Sequence, residues 1–367
     1  MNDDGEHSGK SLKKLRVVMV GAGFFSTFHV DGWLRNDGAE IVGLADSEVE
    51  KARAVLVANG ADLNSIAVQS DALKILRGLK PDIVDIAAPP SAHLGLIREA
   101  TKSTVTAIIC QKPFCTSLKE AREAIRLAAD AGIKLIVHEN FRFQPWYRAI
   151  RWEIETGRIG EVYQATFRLR PGDGQGKDAY LSRQPYFQKM ERFLIHETAV
   201  HWIDTFRFLL GEPEAVFADL RRLNPAIAGE DSGIFIYRYG DGRRAVFDGN
   251  RLVDHVAENP RLTMGECLVE GSKGVLALDG NGNLSFRALG DQHWIVLFSP
   301  RSREGFGGDC VFELQKHVTD HLLKGTALEN EASAYLRNME IEEAVYRAAM
   351  KGRFISLRDS QTGENDD

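Results

Sequence analysis

Four cysteines in 367 residues, Cys110, Cys115, Cys267 and Cys310, are too few and too scattered to staple a fold, and none has a zinc-spaced partner. They read as reduced thiols, so neither a disulfide framework nor a structural metal is expected to organise the chain. Long apolar runs are missing too. Nothing approaches the roughly 20 consecutive apolar residues that cross a bilayer, and Met1 to Lys14 holds no signal-like apolar core. A cytoplasmic protein without a membrane partner is the expectation. Basic residues are not in excess: 46 Lys and Arg against 52 Asp and Glu give a net charge of -6, which argues against nucleic acid and leaves a small molecule as ligand. Repeats and low-complexity tracts are also lacking. What remains, 44% hydrophobic and 27% charged, is an ordinary globular composition in a chain long enough for two cores.

Leu15 to Asp46 is the stretch around which the rest is arranged. The apolar run Leu15, Val17 to Val20 leads straight into Gly21-Ala22-Gly23-Phe24-Phe25-Ser26, then a helical pattern, then a second strand, Ala39 to Ala45, ending at Asp46. A dinucleotide site needs that order. Gly21 allows the sharp turn, Gly23 lets a pyrophosphate approach the backbone, and the next helix offers its amides to the anion. Ser26 stands where the fingerprint has its third glycine, a small residue that loosens the match. Asp46 falls where an acid accepts from both ribose hydroxyls and repels a 2′-phosphate, so NAD is favoured over NADP.

Strand and helix keep alternating to about Asn140, which predicts a doubly wound parallel sheet. Beyond it the grammar changes. A helix from Trp146 and a strand from Val162 lead to a polar, glycine-rich loop, Pro171 to Lys189, and then a long helix from Glu191 to Leu210. Seven short strands follow, with Asp241-Gly242 and Asn281-Gly282 as hairpin turns, and two helices close the chain. The expected fold is α/β: an N-terminal Rossmann domain at 15–140, an α+β domain with a large, mainly antiparallel sheet at 141–358, and flexible tails at 1–14 and 359–367.

In an open parallel sheet the ligand lies beyond the carboxyl ends of the strands. The residues there are Gly21, Gly23, Phe24, Phe25, Asp46, Ala88, Pro89, His93, Gln111 and Lys112, all candidates for the cofactor. Lys112, between an apolar strand and Pro113, can lose solvent and hydrogen-bond a reacting hydroxyl; the plain alternative is a surface lysine. In the second half, Glu197, His201 and Asp204 share one face if Glu191 to Leu210 is an α-helix, with Glu197 placed to orient His201 as general base. His196 then lies about 140° from His201, which disfavours a zinc motif. The alternative there is structural polar residues on a half-buried helix. Arg142, Arg168 and Arg170 could pair with a substrate carboxylate or form a solvated face.

These residues resemble one family, the glucose-fructose oxidoreductase, inositol dehydrogenase and MocA group of nicotinamide-dependent sugar and polyol oxidoreductases. The carriers are Gly21-Ala22-Gly23 with Asp46, Ala88 to His93, Lys112-Pro113, Glu197 with His201 and Asp204, and the ending Met339 to Leu357. The resemblance implies that Lys112 touches nicotinamide ribose and substrate, that Glu197 and His201 supply the base, and that copies assemble as dimers or tetramers through the second sheet. Two positions depart from the motifs: Gln111 replaces a glutamate, leaving no charge there to steady Lys112, and Glu197 replaces an aspartate. The expected activity is NAD-dependent oxidation of a hydroxyl on a sugar, cyclitol or sugar acid. A redox-neutral isomerase, lyase or glycosidase, and a non-catalytic NAD-binding regulator, are the alternatives.

Overall fold

The computed structural model describes residues 13–301 and 306–358, so the expected tails lie outside the described residues but for Lys13, Lys14. From Leu15 the chain alternates β1 (Leu15–Val20), α1 (Ser26–Leu34), β2 (Ala39–Ala45), α2 (Val49–Ala58), β3 (Ala67–Gln69), α3 (Ala72–Leu79), β4 (Ile83–Ile86), α4 (Pro90–Ala100), β5 (Ala107–Gln111), α5 (Leu118–Asp130) and β6 (Lys134–His138). The six strands are parallel, in the order β3-β2-β1-β4-β5-β6. Chain order reverses between β1 and β4, and a crevice opens there at the carboxyl ends. The strands are mainly apolar because helices cover both faces: Val17, Val18, Met19, Ile83, Ile108 and Ile109 are fully buried. Local signals mostly place the helix starts. Ser117 Oγ caps α5 by accepting from the Glu120 amide at 3.2 Å, although the Glu120 carboxylate turns to Thr116. Helix α4 begins one residue before Ser91, at Pro90, which has no N–H to leave unpaired.

The second half contributes α6 (Pro145–Glu155), β7 (Val162–Leu169), α7 (Val200–Leu210), β8 (Ala215–Arg221), β9 (Ser232–Arg238), β10 (Arg244–Asn250), β11 (Gly265–Gly271), β12 (Gly274–Leu278), β13 (Leu284–Ala288), β14 (Ile295–Phe298), α8 (Cys310–Lys324), α9 (Ala332–Lys351) and β15 (Ile355–Ser356). Nine of these strands form one sheet, β14-β13-β12-β11-β7-β10-β9-β8-β15. It is antiparallel except where β7 and β10 run parallel. Gly242 and Gly282 take the positive φ angles, +90° and +80°, that their hairpin turns demand. One face of the sheet carries the main core, where Trp202 of α7 stacks on Phe167 with ring centroids 4.2 Å apart and Phe206 meets Phe235 and Tyr237.

The long helix expected over Glu191 to Leu210 is two segments. Leu194–Ala199 is a wide, π-type turn and only Val200–Leu210 is α-helical. Glu230, from the loop before β9, caps its start: its side chain accepts from the amides of Phe193 (3.2 Å) and Ile195 (3.1 Å), and its carbonyl from that of Leu194 (2.9 Å). Those amides have no earlier helical turn to join.

The last two helices return to the first sheet. Leu314 and Val318 of α8 join the core of Val17 and Ile109, and Tyr335 of α9 joins that of Ile108 and Val137. Gly32 admits this approach, since a Cβ there would meet Gln315 Oε1 at 2.1 Å.

Candidate active site

The crevice of the first sheet faces the π-type turn and the loop after β7, and between them lies a cleft of about 850 Å³. At one end the walls are Gly21 to Phe25, Asp46 and Ala88 to Pro90; at the other they are Gln111, Lys112, Asn140, His196 to Thr198, His201, Asp173, Arg183, Arg251 and Arg261.

The first end fits a dinucleotide. Gly21, at φ +106°, lets β1 turn against the next loop, where a Cβ would sit 2.6 Å from the Ala87 carbonyl. A Cβ on Gly23 would meet no protein atom within 4 Å, so its backbone lies open to the cleft. Ser26 is tolerated at the third fingerprint position because its buried hydroxyl donates to the Gly23 carbonyl at 2.6 Å. Asp46 is held by the amides of Ala22 (2.7 Å) and Glu48 (2.8 Å), with lone pairs left for ribose hydroxyls. Deeper in, the Asn140 side-chain nitrogen is buried without a hydrogen-bond partner, a donor suited to a cofactor carbonyl.

At the second end two pairs of groups meet. Lys112 Nζ donates to the Glu197 carboxylate at 2.9 Å and to the Glu197 carbonyl at 2.7 Å, with both side chains 14% exposed. The charge that Gln111 cannot supply to Lys112 thus comes from Glu197. His201 is held by a different carboxylate: its Nδ1 lies 2.6 Å from Oε1 of the fully buried Glu139, and its ring stacks on Phe141 at 3.8 Å. The expected Glu197 to His201 contact is therefore corrected. It presumed α-helical spacing, and the wide turn between them sends Glu197 to Lys112 instead. The same turn brings His196, held by Glu342 at 2.7 Å, to the cleft wall.

Five other expectations change. His93 is buried away from the cleft and ties two backbone segments, through the Ala88 carbonyl (2.8 Å) and the Cys115 amide (3.5 Å). Arg142 and Asp204 satisfy each other: two bonds of 2.7 and 2.6 Å join them, and Asn338 completes the carboxylate. Burial would raise the Asp204 carboxyl, but Arg142 and Asn338 hold it below its usual range. Arg168 pairs with Glu266 on the outer sheet face, and Arg170 is spent on Asp248. None of these four lines the cleft. The arginines that do are Arg183, Arg251 and Arg261. Arg251 is 2% exposed and binds Asp173 (2.8 Å), Tyr180 (2.8 Å) and Thr198, which ties the glycine-rich loop to the π-type turn. Nothing local in the sequence marks Arg251 and Arg261, while Arg183 lies in the Pro171 to Lys189 loop. Among the described residues no group of three His, Cys, Asp or Glu could hold a metal ion.

Residues 15–139 match the NAD-binding Rossmann fold of the Gfo/Idh/MocA oxidoreductase family, and residues 147–277 match that family's C-terminal domain. The chain belongs to the Gfo/Idh/MocA family and is an NAD-binding oxidoreductase. It is similar to a D-apiose dehydrogenase of Paraburkholderia graminis, 31% identical over 95% of this chain and 91% of that protein. An inositol 2-dehydrogenase of Rhizobium meliloti is 27% identical over 94% and 99%. Among solved structures, an Agrobacterium radiobacter oxidoreductase in complex with NAD+, L-tartaric acid and magnesium superposes with a TM-score of 0.82, at 28% identity, over 94% of this chain and 98% of that one.

Proposed function

We propose that this chain oxidises a hydroxyl of a small polyhydroxylated sugar, with His201 as general base and Lys112 as the donor to the reacting oxygen. The carrying observation is that Lys112 and His201, 89 residues apart, line one cleft with the glycine turn and Asp46. Glu139 fixes the His201 proton on Nδ1, which leaves Nε2 to take the hydroxyl proton, and it stabilises the imidazolium that results. Lys112, steadied by Glu197, donates to the oxygen as it becomes a carbonyl. NAD held at the glycine turn supplies the hydride acceptor. Residues 15–140 would bind cofactor and residues 141–358 would supply the substrate wall and the contacts between copies.

The named activities of the relatives make D-apiose and inositol the first neutral substrates to test. One observation favours an acidic sugar as a second reading. Arg261 has no ion-pair partner among the described residues, and desolvation together with the nearby Arg183 and Arg251 lowers its pKa, so a carboxylate would be welcome there. The test is a panel of pentoses, cyclitols and aldonates with NAD, followed by nicotinamide absorbance and by mass spectrometry of the sugar. Lys112→Ala and His201→Ala should each lower turnover at least about 100-fold while NAD still binds. Near wild-type turnover in His201→Ala would refute the base assignment, and product without net NADH would point to the redox-neutral alternative.

The outer face of the nine-stranded sheet supports assembly into a dimer or tetramer. Phe217, Ile236, Val246, Thr166, Leu268, Ala277, Ser285 and Val296 form one row across eight strands, mostly apolar and all partly exposed. Four free thiols and the lack of any described helix able to cross a membrane are consistent with a cytoplasmic enzyme.

A further inference from the structure

A buried chain of hydrogen bonds runs behind Lys112, and the reaction just described leaves it unused. Asp85 on β4, fully buried, accepts at one oxygen from the Trp33 indole (2.6 Å) and from His29 Nδ1 (2.8 Å). Across the ring, His29 Nε2 lies 3.0 Å from the Gln111 side-chain nitrogen, and the Gln111 side-chain oxygen accepts from the Lys112 amide at 2.7 Å. A backbone N–H can only donate, so the amide oxygen must face Lys112 and its NH2 must face the imidazole. His29 Nε2 is then an acceptor, and the ring proton sits on Nδ1, where Asp85 takes it. Each member fixes the orientation of the next.

The surroundings leave this chain little freedom. The His138 ring packs 4.2 Å from His29, and burial lowers its pKa to about 3, so it brings no charge. Gln315 of α8 donates to the His29 carbonyl at 3.0 Å, and the Phe25 ring covers another side. Asp85 is the charged group in hydrogen-bond contact with His29 among the described residues. At the far end, Lys112 is pinned at its amide by Gln111 and at its ammonium by Glu197.

We propose that His29 and Asp85 are positioning residues for Lys112, acting through Gln111, and that the amide at position 111 makes this positioning independent of pH. It rests on Lys112 being the donor to the reacting oxygen. A carboxylate at 111 would offer His29 an acceptor where the amide offers a donor. The imidazole would then need a second proton to keep the chain intact, and losing that proton would set two acceptors against each other behind the lysine.

The decisive variant is Gln111→Glu in the full chain, assayed with NAD and the best sugar of the panel from about pH 6 to about pH 9. We expect kcat within about threefold of wild type at the acid end, then a fall approaching tenfold per pH unit once the added proton leaves. Wild type lacks that limb. A Gln111→Glu profile parallel to wild type overturns the proposal. His29→Phe should lower kcat about tenfold or more at constant NAD affinity, since a small misplacement of a reacting group is costly; wild-type kcat there also overturns it. If either variant fails to fold, the 15N signals of the His29 ring in wild type decide: Nδ1 protonated and Nε2 bare throughout is expected, and a proton on Nε2 refutes the chain. Lys112→Ala separates the two levels. Full activity in it sinks the role of Lys112, whereas an inactive Lys112→Ala beside a parallel Gln111→Glu profile sinks only the positioning chain.

Discussion

Replacing Glu139 by glutamine tests the base assembly most directly, because it removes a charge and keeps a shape. Glu139 is fully buried and accepts from His201 Nδ1 at 2.6 Å, while its second oxygen has no hydrogen-bond partner. An amide oxygen can still accept that bond, so His201 should stay where it is. What is lost is attraction between carboxylate and imidazolium as the hydroxyl proton moves. With charge centres about 4 Å apart and an effective dielectric of about 20, that attraction is about 4 kcal/mol. Allowing for the remaining hydrogen bond, a loss of about 2 to 4 kcal/mol predicts a kcat reduced about 30- to 1000-fold. The assay is steady-state NADH formation at saturating NAD and sugar, with NAD affinity measured separately by quenching of intrinsic fluorescence. Glu197→Gln serves as the contrast. Its backbone carbonyl still accepts from Lys112, so a drop of only about threefold to tenfold is expected. A Glu139→Gln enzyme within threefold of wild type, or one less impaired than Glu197→Gln, would refute the assignment of Glu139 as the partner of the base.

Two further outcomes follow from buried polar side chains. Arg251→Met should loosen the glycine-rich loop and lower the melting temperature, because Asp173 keeps Arg183 but loses its bidentate partner and the buried Thr198 hydroxyl loses its donor; about 1 to 3 kcal/mol is the scale, and unchanged stability would count against the pin. His138 should make the protein acid-labile. Burial lowers its pKa to about 3, so below about 6.5 the unfolded chain takes up a proton that the native state refuses, and stability falls by up to roughly 1.4 kcal/mol per pH unit between those values. Denaturant melts of wild type and His138→Asn at about pH 7 and about pH 5 check this: the variant should lose less on acidification, and equal losses would show that His138 carries none of the effect.

The nucleotide half was legible because its grammar is local. Strand, glycine turn, helix and terminal acid follow within 32 residues, and each step has a backbone or dipole requirement that few residue types meet. Lys112 was legible from its place after a strand. The partners of the catalytic groups were not. Reading Glu197 and His201 as neighbours assumed 3.6 residues per turn, whereas Leu194–Ala199 is a wider turn whose first amides are capped by Glu230 from a distant loop. Arg142 and Asp204 each looked available, because nothing in the sequence reveals that they bind each other across 62 residues. Arg251 and Arg261 had no local mark at all. The strands β3 and β15, of three and two residues, were too short for a periodic pattern to register.

The return of α8 and α9 has a bearing on how the chain is made. Val17, Met19 and Ile109 complete their packing only when Leu314 and Val318 arrive, and the Asn330 side chain caps the carbonyl of Glu139 beside the base. During synthesis the nucleotide-binding half therefore emerges with two greasy flanks uncovered, and it waits for nearly the whole polypeptide before it can close. Severing the chain near residue 140 should yield a sticky fragment rather than a free-standing coenzyme module.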